Sequence, residues 1–224
     1  FVQQAKASMD EGLIGNIEYV LCHMASPTRA LMSGVAVDMI GMSGQWAETL
    51  FNPAPSTWGD PVVAGGGYGQ GQVSHSAGMM FLLTRLQAQS VFARMTGPGA
   101  EVDLYDAVVV TFTNGAIGTV SGAGNVPGDR PFHVDIRIFG SEGTLLIDCE
   151  RARLEVCRHD GNHRIEALSV DAGTYECNGP PNNFVDLITG KTTANWSSGE
   201  VAMRAVELLD AAYRSAKSGV EERV

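Results

Sequence analysis

A glycine-rich segment that ends on a histidine is the part of the sequence best suited to chemistry. It runs from Ala64 to His75 and has glycines at positions 65, 66, 67, 69 and 71. Glycine lets the backbone adopt positive φ and approach a bound molecule closely, where a Cβ atom would collide. The imidazole that follows exchanges protons near neutral pH. The segment is therefore predicted to form the floor of a substrate site.

Two roles are open for His75 from the pattern alone. The histidine begins a strongly apolar stretch that ends at Leu86, which predicts a buried helix. At the start of such a helix the imidazole either takes part in catalysis or bonds to the backbone. The neighbouring Ser74 does not indicate a serine hydrolase, because a nucleophile and its base must approach in space and no elbow motif is present.

Common cofactor and metal motifs do not fit the sequence. In either register that starts within the glycine-rich segment, the third glycine of a Gly-x-Gly-x-x-Gly fingerprint falls on a glutamine, Gln70 or Gln72. His159 and His163 are four residues apart, but they flank a predicted turn rather than lie on one helix face. We therefore expect no nucleotide-binding residues and no metal site within this chain.

Size and composition describe an ordinary globular protein. The chain has 224 residues, of which 44% are apolar and 18% charged, enough for one large domain or two small ones. A net charge of −10 argues against nucleic acid as a partner, because phosphate binding needs a basic face. No run of 18 apolar residues predicts a membrane span. Uneven spacing of the cysteines favours free thiols in the cytoplasm over a zinc site or disulfides; they are Cys22, Cys149, Cys157 and Cys177.

The pattern of elements predicts the fold class. A helix over Val2 to Glu11 and a strand over Ile17 to Met24 open the chain. Six or more strands follow between residues 102 and 170, most of them joined by tight turns. A last helix starts at a capping box over residues 197–200 and ends at Gly219. Strands bracketed by helices predict an α+β fold, an open and mostly antiparallel sheet with helices packed on one face.

Short motifs occur along the chain in the order typical of one enzyme family. They are Gly12-Leu13-Ile14-Gly15, the triple glycine Gly65-Gly66-Gly67, His75 eight residues later, Asn114 to Thr119, Gly140 to Leu145, and Ala212 to Gly219. On these motifs the sequence resembles the C-terminal domain of the glucose-fructose oxidoreductase, inositol dehydrogenase and MocA (Gfo/Idh/MocA) oxidoreductases. It departs from them at Gly71 and Gly78, where the family commonly has aspartates.

The resemblance implies an NAD(P)-dependent oxidoreductase that acts on a sugar, a polyol or a related hydroxyl compound. Residues 1–15 would be the last helix of a cofactor-binding domain, and residues 16–224 the substrate-binding and oligomerisation domain. NAD or NADP would be bound by an N-terminal domain outside this chain. Subunits of the family associate through the open sheet face, which implies a homodimer or homotetramer.

The same resemblance assigns roles to individual residues. His75 would be the catalytic acid/base, or the group that orients the reacting hydroxyl. Substrate binding would fall to Trp58, Gly66, Gly67, Tyr68 and Gln72. For the two aromatic residues, simple core packing is the alternative. A cofactor-free protein that keeps the fold to bind sugars or to oligomerise is the alternative to an enzyme, and Gly71 favours it.

Overall fold

The computed structural model describes residues 2–35, 54, 56–128, 130–166, 168–173 and 178–224. Its α-helices are α1 (Val2–Asp10), α2 (Arg29–Met32), α3 (Ser56–Gly59), α4 (Pro61–Ala64), α5 (Ser74–Thr84), α6 (Gly179–Ile188) and α7 (Gly199–Ser218). Its strands are β1 (Ile17–Ala25), β2 (Ala88–Thr96), β3 (Tyr105–Phe112), β4 (Ile117–Ala123), β5 (His133–Gly140), β6 (Gly143–Asp148), β7 (Arg153–Arg158), β8 (Arg164–Glu166) and β9 (Glu222–Arg223). A π-helical turn over Gly69–Val73 precedes α5, and a 3-10 turn over Val170–Gly173 precedes α6.

All of these strands join one sheet in the order β8-β7-β6-β5-β1-β4-β3-β2-β9. Strand β1 lies near the centre, antiparallel to β5 and parallel to β4. The remaining neighbours pair in antiparallel fashion. The predicted α+β fold with an open, mostly antiparallel sheet is therefore confirmed. The run of strands begins earlier than expected, with β2 at Ala88, and β8 ends at Glu166.

Helices cover one face of this sheet and form the core against it. Helix α5 packs on β1 and β5, and α7 packs on β2. Alternate residues of β1 point at these helices, so Val20, Cys22 and Met24 are fully buried. Helix α1 packs against α5 and β6 and buries Ala5. The other face of the sheet carries the half-exposed alternate side chains.

Helix α7 is the longest helix in the described chain, and its start differs from the predicted capping box. Ser198 is the N-cap residue and accepts a hydrogen bond from the backbone N–H of Val201 at 3.4 Å. Glu200 bonds to Arg204 one turn later instead of reaching back to the cap. Gly219 ends the helix in the left-handed conformation, as predicted.

Within the described ranges no helix is long and apolar enough to cross a membrane. Cys22, Cys149 and Cys157 carry free thiols. Cys177 lies outside the described residues.

Strand β3 holds a buried carboxyl group on the helix-covered face. Asp106 is 4% exposed. Among the described residues no donor bonds its oxygens, and its hydrogen bond is to the side chain of Asp103. Burial, and then the charge of nearby Asp103, raises its pKa from 3.8 to about 9. The opposing residue on β4 is Gly122, whose added Cβ would lie 2.9 Å from Asp106 Oδ2. The side chain is therefore a neutral acid at neutral pH, packed into a space that glycine leaves.

The raised pKa of Asp106 predicts a pH-dependent stability. The unfolded chain releases this proton near pH 4, whereas the folded chain keeps it to about pH 9, so stability falls as the pH rises through that window. Asp106→Asn stays neutral in both states. We expect it to raise the melting temperature by about 5 °C near pH 8, with the gain shrinking toward acid pH. Glu207→Gln, at an exposed position on α7, is the control, and parallel pH curves for wild type and Asp106→Asn would contradict the assignment.

Candidate active site

The glycine-rich segment folds as a helix cap, a tight loop and a π-helical turn. Gly65 ends α4 at φ 74°, and Gly66 follows at φ 151°. A side chain is strained at either angle, which accounts for glycine at both positions. The π-helical turn Gly69–Val73 continues directly into α5 and places His75 in its first turn. Such turns arise where one extra residue is inserted into a helix, frequently at functional sites.

Asp103, in the connection between β2 and β3, holds this loop through three backbone N–H groups. Its Oδ1 accepts from the N–H of Gly67 at 2.9 Å, and its Oδ2 accepts from the N–H of Gly69 at 2.7 Å. Its carbonyl oxygen accepts from the N–H of Tyr68 at 2.9 Å. Hydrogen bonds to a carboxylate are stronger than neutral ones. One residue therefore fixes three consecutive residues of the loop.

Tyr213, on α7, holds the loop from a second side. Its hydroxyl oxygen accepts from the N–H of Gly67 at 3.1 Å and from the N–H of Gln70 at 3.0 Å, and the hydroxyl also bonds the Asp103 side chain. Burial, and then the charge of Asp103, raises the pKa of Tyr213 well above 10, so the hydroxyl keeps its proton. We refer to Asp103 and Tyr213 together as the loop clasp.

The loop glycines make room for this clasp. A Cβ atom added at Gly66 would lie 2.6 Å from the Tyr213 hydroxyl oxygen. One added at Gly67 would lie 2.4 Å from the Asp103 carbonyl oxygen. Atoms of the protein itself therefore occupy the space that the sequence assigned to a ligand.

His75 is exposed, and its ring bonds the carbonyl oxygen of Gly71, four residues earlier. The surrounding protein lowers the pKa of His75 below its ordinary value of 6.5, and the bond to Gly71 acts in the opposite direction. The imidazole is thus mainly neutral at pH 7. A neutral imidazole is the form that accepts a proton in general base catalysis.

A cluster of hydroxyl groups at the end of β1 contacts the same turn. Ser26 Oγ lies 2.9 Å from the hydroxyl oxygen of Tyr68 and 3.3 Å from that of Thr28, and it donates to Gln72 Oε1 at 3.4 Å. Tyr68 is fully buried. Gln72 is half-buried, one helical turn from His75, with its amide oxygen directed inward by Ser26.

Trp58 takes the space in which the resembled family commonly has a carboxylate. A Cβ atom at Gly71 would lie 3.3 Å from the Trp58 ring and 3.2 Å from the methyl group of Met32. A longer side chain at position 71 would displace the indole. At Gly78, in contrast, nothing lies within 4 Å of an added Cβ, so the missing carboxylate there leaves open space.

Three of the six predicted site residues therefore gather around one backbone position. Trp58 lies against Gly71, the ring of His75 bonds its carbonyl oxygen, and Gln72 is its neighbour in sequence. Gly66, Gly67 and Tyr68 lie at the loop clasp. Of the residues described, no cluster of three or more His, Cys, Asp or Glu side chains could hold a metal ion.

Two surface grooves flank the glycine-rich region. One has a volume of about 520 Å³ and lies behind the loop clasp, lined in part by Gly65, Gly66, Asp103, Tyr213 and Lys217. The other, of about 550 Å³, is lined in part by Ser33, Gly34, Asp60 and Glu101. His75 lines neither groove within the described residues.

The sequence reasoning missed the clasp and the hydroxyl of Ser26. Asp103 lies 36 residues from Gly67 and Tyr213 lies 146 residues from it, so no local spacing links them. Tyr213 is part of the motif Ala212 to Gly219, which was noted only for its place in the order of motifs. A glycine-rich loop also gives no sign of which side chains its N–H groups bond.

A family described as the GFO/IDH/MocA C-terminal domain matches residues 2–146. Among curated proteins, no sequence matches the chain. Solved structures do match, and the chain spans only about 60% of their length.

Three of these structures illustrate the likeness. Levoglucosan dehydrogenase in complex with NADH and L-sorbose has 19% identity and a TM-score of 0.70, over 98% of this chain and 61% of that one. GenD2 from gentamicin A biosynthesis, in complex with NAD, has 20% identity and a TM-score of 0.66, over 100% and 60%. An NAD-binding oxidoreductase from Klebsiella pneumoniae has 17% identity and a TM-score of 0.70, over 99% and 62%. Identities this low show a shared fold, whereas the family match covers more than half of the chain, and the chain belongs to the GFO/IDH/MocA oxidoreductases through their C-terminal domain.

Proposed function

We propose that this chain is the substrate-binding and oligomerisation part of an NAD(P)-dependent oxidoreductase that acts on a sugar, a polyol or a related hydroxyl compound. The observation that carries the proposal is His75, an exposed and mainly neutral imidazole at the head of a buried helix. The solved structures that share the fold include a dehydrogenase with NADH and L-sorbose bound and an enzyme with NAD bound. Free thiols at three cysteines support a cytoplasmic location.

The cofactor would be held outside this chain. The described residues carry no nucleotide fingerprint, and residues 1–15 would connect to the domain that does. Helix α1 is packed on α5, so such a domain would join the chain next to the helix that bears His75. It would also supply the second wall that the open surface around the imidazole needs. A bound nicotinamide would accept or return the hydride.

His75 would take the proton of the reacting hydroxyl. When an alcohol is oxidised, its carbon loses a hydride and its oxygen loses a proton, so a base must lie within hydrogen-bond reach. Trp58 would pack against the apolar C–H face of a sugar ring, and Gln72 would bond a hydroxyl group through its amide. The Trp58 indole lies against Gly71, whose carbonyl oxygen bonds the His75 ring.

A second candidate function is sugar binding or assembly without a cofactor. Gly71 favours it, because the carboxylate that commonly accompanies the histidine has been replaced by space for Trp58. Fluorescence titration of the full-length protein with NADH and NADPH separates the two candidates. Saturable binding supports the oxidoreductase, and absence of binding to both nucleotides supports the alternative.

The open sheet face is the proposed surface for association between subunits. Two rows of neighbouring side chains cross it. One row pairs Phe92 with Val109, and the other joins Ile117, Tyr19 and Phe139, with the last two rings 5.7 Å apart. Phe92, Val109, Ile117 and Phe139 are each at least 37% exposed in the single chain. Contiguous apolar groups of this kind are typical of protein interfaces.

Loss of the imidazole tests the proposed catalytic role. In the full-length enzyme, His75→Ala should lower kcat by roughly a hundredfold or more, the effect of removing a general base. The assays use NAD⁺ with levoglucosan and NADH with L-sorbose, followed by NADH absorbance. His159→Ala, which removes another exposed histidine, is the matched control. Wild-type turnover in His75→Ala would remove His75 from the chemistry.

A charge on the open sheet face tests the proposed assembly. Val109 is 52% exposed, and Val109→Asp would bury a carboxylate in any interface formed there. Light scattering at micromolar concentration should show an oligomer for the wild type and a smaller mass for this variant. Val220→Asp, at a site 58% exposed after α7, should leave the mass unchanged. A monomeric wild type would overturn the assignment of this face.

A further inference from the structure

We propose that Asp103 and Tyr213 are positioning residues for the reaction, and that the loop clasp they form sets the direction of the His75 ring. The inference rests on the proposed function, in which His75 moves the proton. Neither clasp residue touches the imidazole. Their effect reaches it through the backbone of the glycine-rich segment.

A continuous series of hydrogen bonds joins the clasp to the imidazole. The N–H of Gly67 donates to both Asp103 and Tyr213. The carbonyl oxygen of the same residue accepts from the N–H of Gly71 at 2.9 Å. The carbonyl oxygen of Gly71 accepts from the ring of His75. The series passes through the backbone of Gly67 and Gly71, so the clasp reaches the imidazole by fixing where that backbone lies.

The clasp is anchored on the most rigid parts of the molecule. Asp103 lies between two buried residues, Val102 and Leu104, just before β3. Tyr213 follows the fully buried Ala212 on the long helix α7, which packs on the sheet. Glycine has no side chain with which to hold the loop, and its backbone is the most flexible of any residue. The loop therefore takes its order from these two anchored side chains.

The clasp oxygens are already engaged, which fits positioning rather than proton transfer. Asp103 uses both carboxylate oxygens on loop N–H groups, and the Tyr213 hydroxyl accepts from the N–H groups of Gly67 and Gln70. Both residues line the groove behind the loop, where His75 is not found among the described residues. A substrate at the imidazole would not meet them.

Tyr213→Phe in the full-length protein tests the inference, because it removes only the hydroxyl. Asp103→Asn is the second variant, since an amide offers one acceptor oxygen in place of two. Tyr105→Phe is the matched control: the Tyr105 hydroxyl has no hydrogen bond in the described chain, and its loss leaves the clasp intact. Melting curves establish that each variant is folded.

The first readout is the rate at which diethyl pyrocarbonate modifies His75, followed by mass spectrometry. We expect Tyr213→Phe and Asp103→Asn to change this rate by at least about threefold, the factor typical of one lost hydrogen bond. The exposed His159 serves as internal reference in every sample, and its rate should stay constant. This measurement needs no substrate.

The second readout separates kcat from KM. With levoglucosan and NAD⁺, both clasp variants should lower kcat by about tenfold or more through misplacement of the base, while KM for NAD⁺ stays within twofold of wild type. Unchanged His75 modification in both folded variants would overturn the inference. If the modification rate of His75 changes in these variants but kcat stays at the wild-type value, the positioning role is also overturned. If His75→Ala is itself fully active, the proposed function fails, whereas the link from clasp to imidazole is still decided by the modification rates.

Discussion

The functional region depends on the hydrogen bonds that Asp103 accepts from the glycine-rich loop. The carboxylate accepts two N–H groups of a loop that has almost no side chains of its own, and the carbonyl oxygen accepts a third. A loop so rich in glycine loses much conformational entropy when it becomes ordered. Charge-assisted bonds from a residue anchored at the sheet offset this cost. Without these bonds the loop before the π-helical turn and α5 would not be held in one conformation.

Protonation of Asp106 avoids charge repulsion beside Asp103. Two carboxyl groups lie close together beneath the loop, and two negative charges there would repel one another. Because the buried Asp106 keeps its proton to about pH 9, Asp103 carries its interactions with the loop beside a neutral neighbour. The missing side chain at Gly122 gives the protonated group its space. The raised pKa of Asp106 lowers the free energy of unfolding at neutral pH, and such a loss is typical of sites that hold a constrained geometry.

Local patterns in the sequence predicted most helices and strands, but not which strands pair in the sheet. The helical spacing of α7 and its closing Gly219 depend on near neighbours, so the helix lies close to where it was expected, with its N-cap one residue later, at Ser198. Strand β2 was missed, because small and polar residues such as Ala88 and Ser90 weaken its alternating pattern. The parallel pairing of β1 with β4 joins residues about a hundred positions apart, which no local signal can reveal.

The candidate site could be predicted only in part, for the same reason. His75 could be singled out because an imidazole at the head of an apolar helix is visible in the sequence. The position of the Trp58 ring against Gly71 could not, because it depends on the tertiary fold. A run of glycines shows that something comes close to the backbone, but whether that is a substrate or a distant side chain such as Tyr213 depends on the tertiary fold.

The π-helical turn over Gly69–Val73 has a consequence for how this surface could diversify. Successive residues of an α-helix are offset by about 100° around its axis. Removing one residue from the turn would restore an ordinary helix and swing the loop by that angle relative to α5, whose buried side chains hold it in place. Deletion of a single codon would thus turn the glycine-rich loop relative to α5 and leave the hydrophobic core unchanged. The direction of this loop can therefore change without any change in the residues of the core.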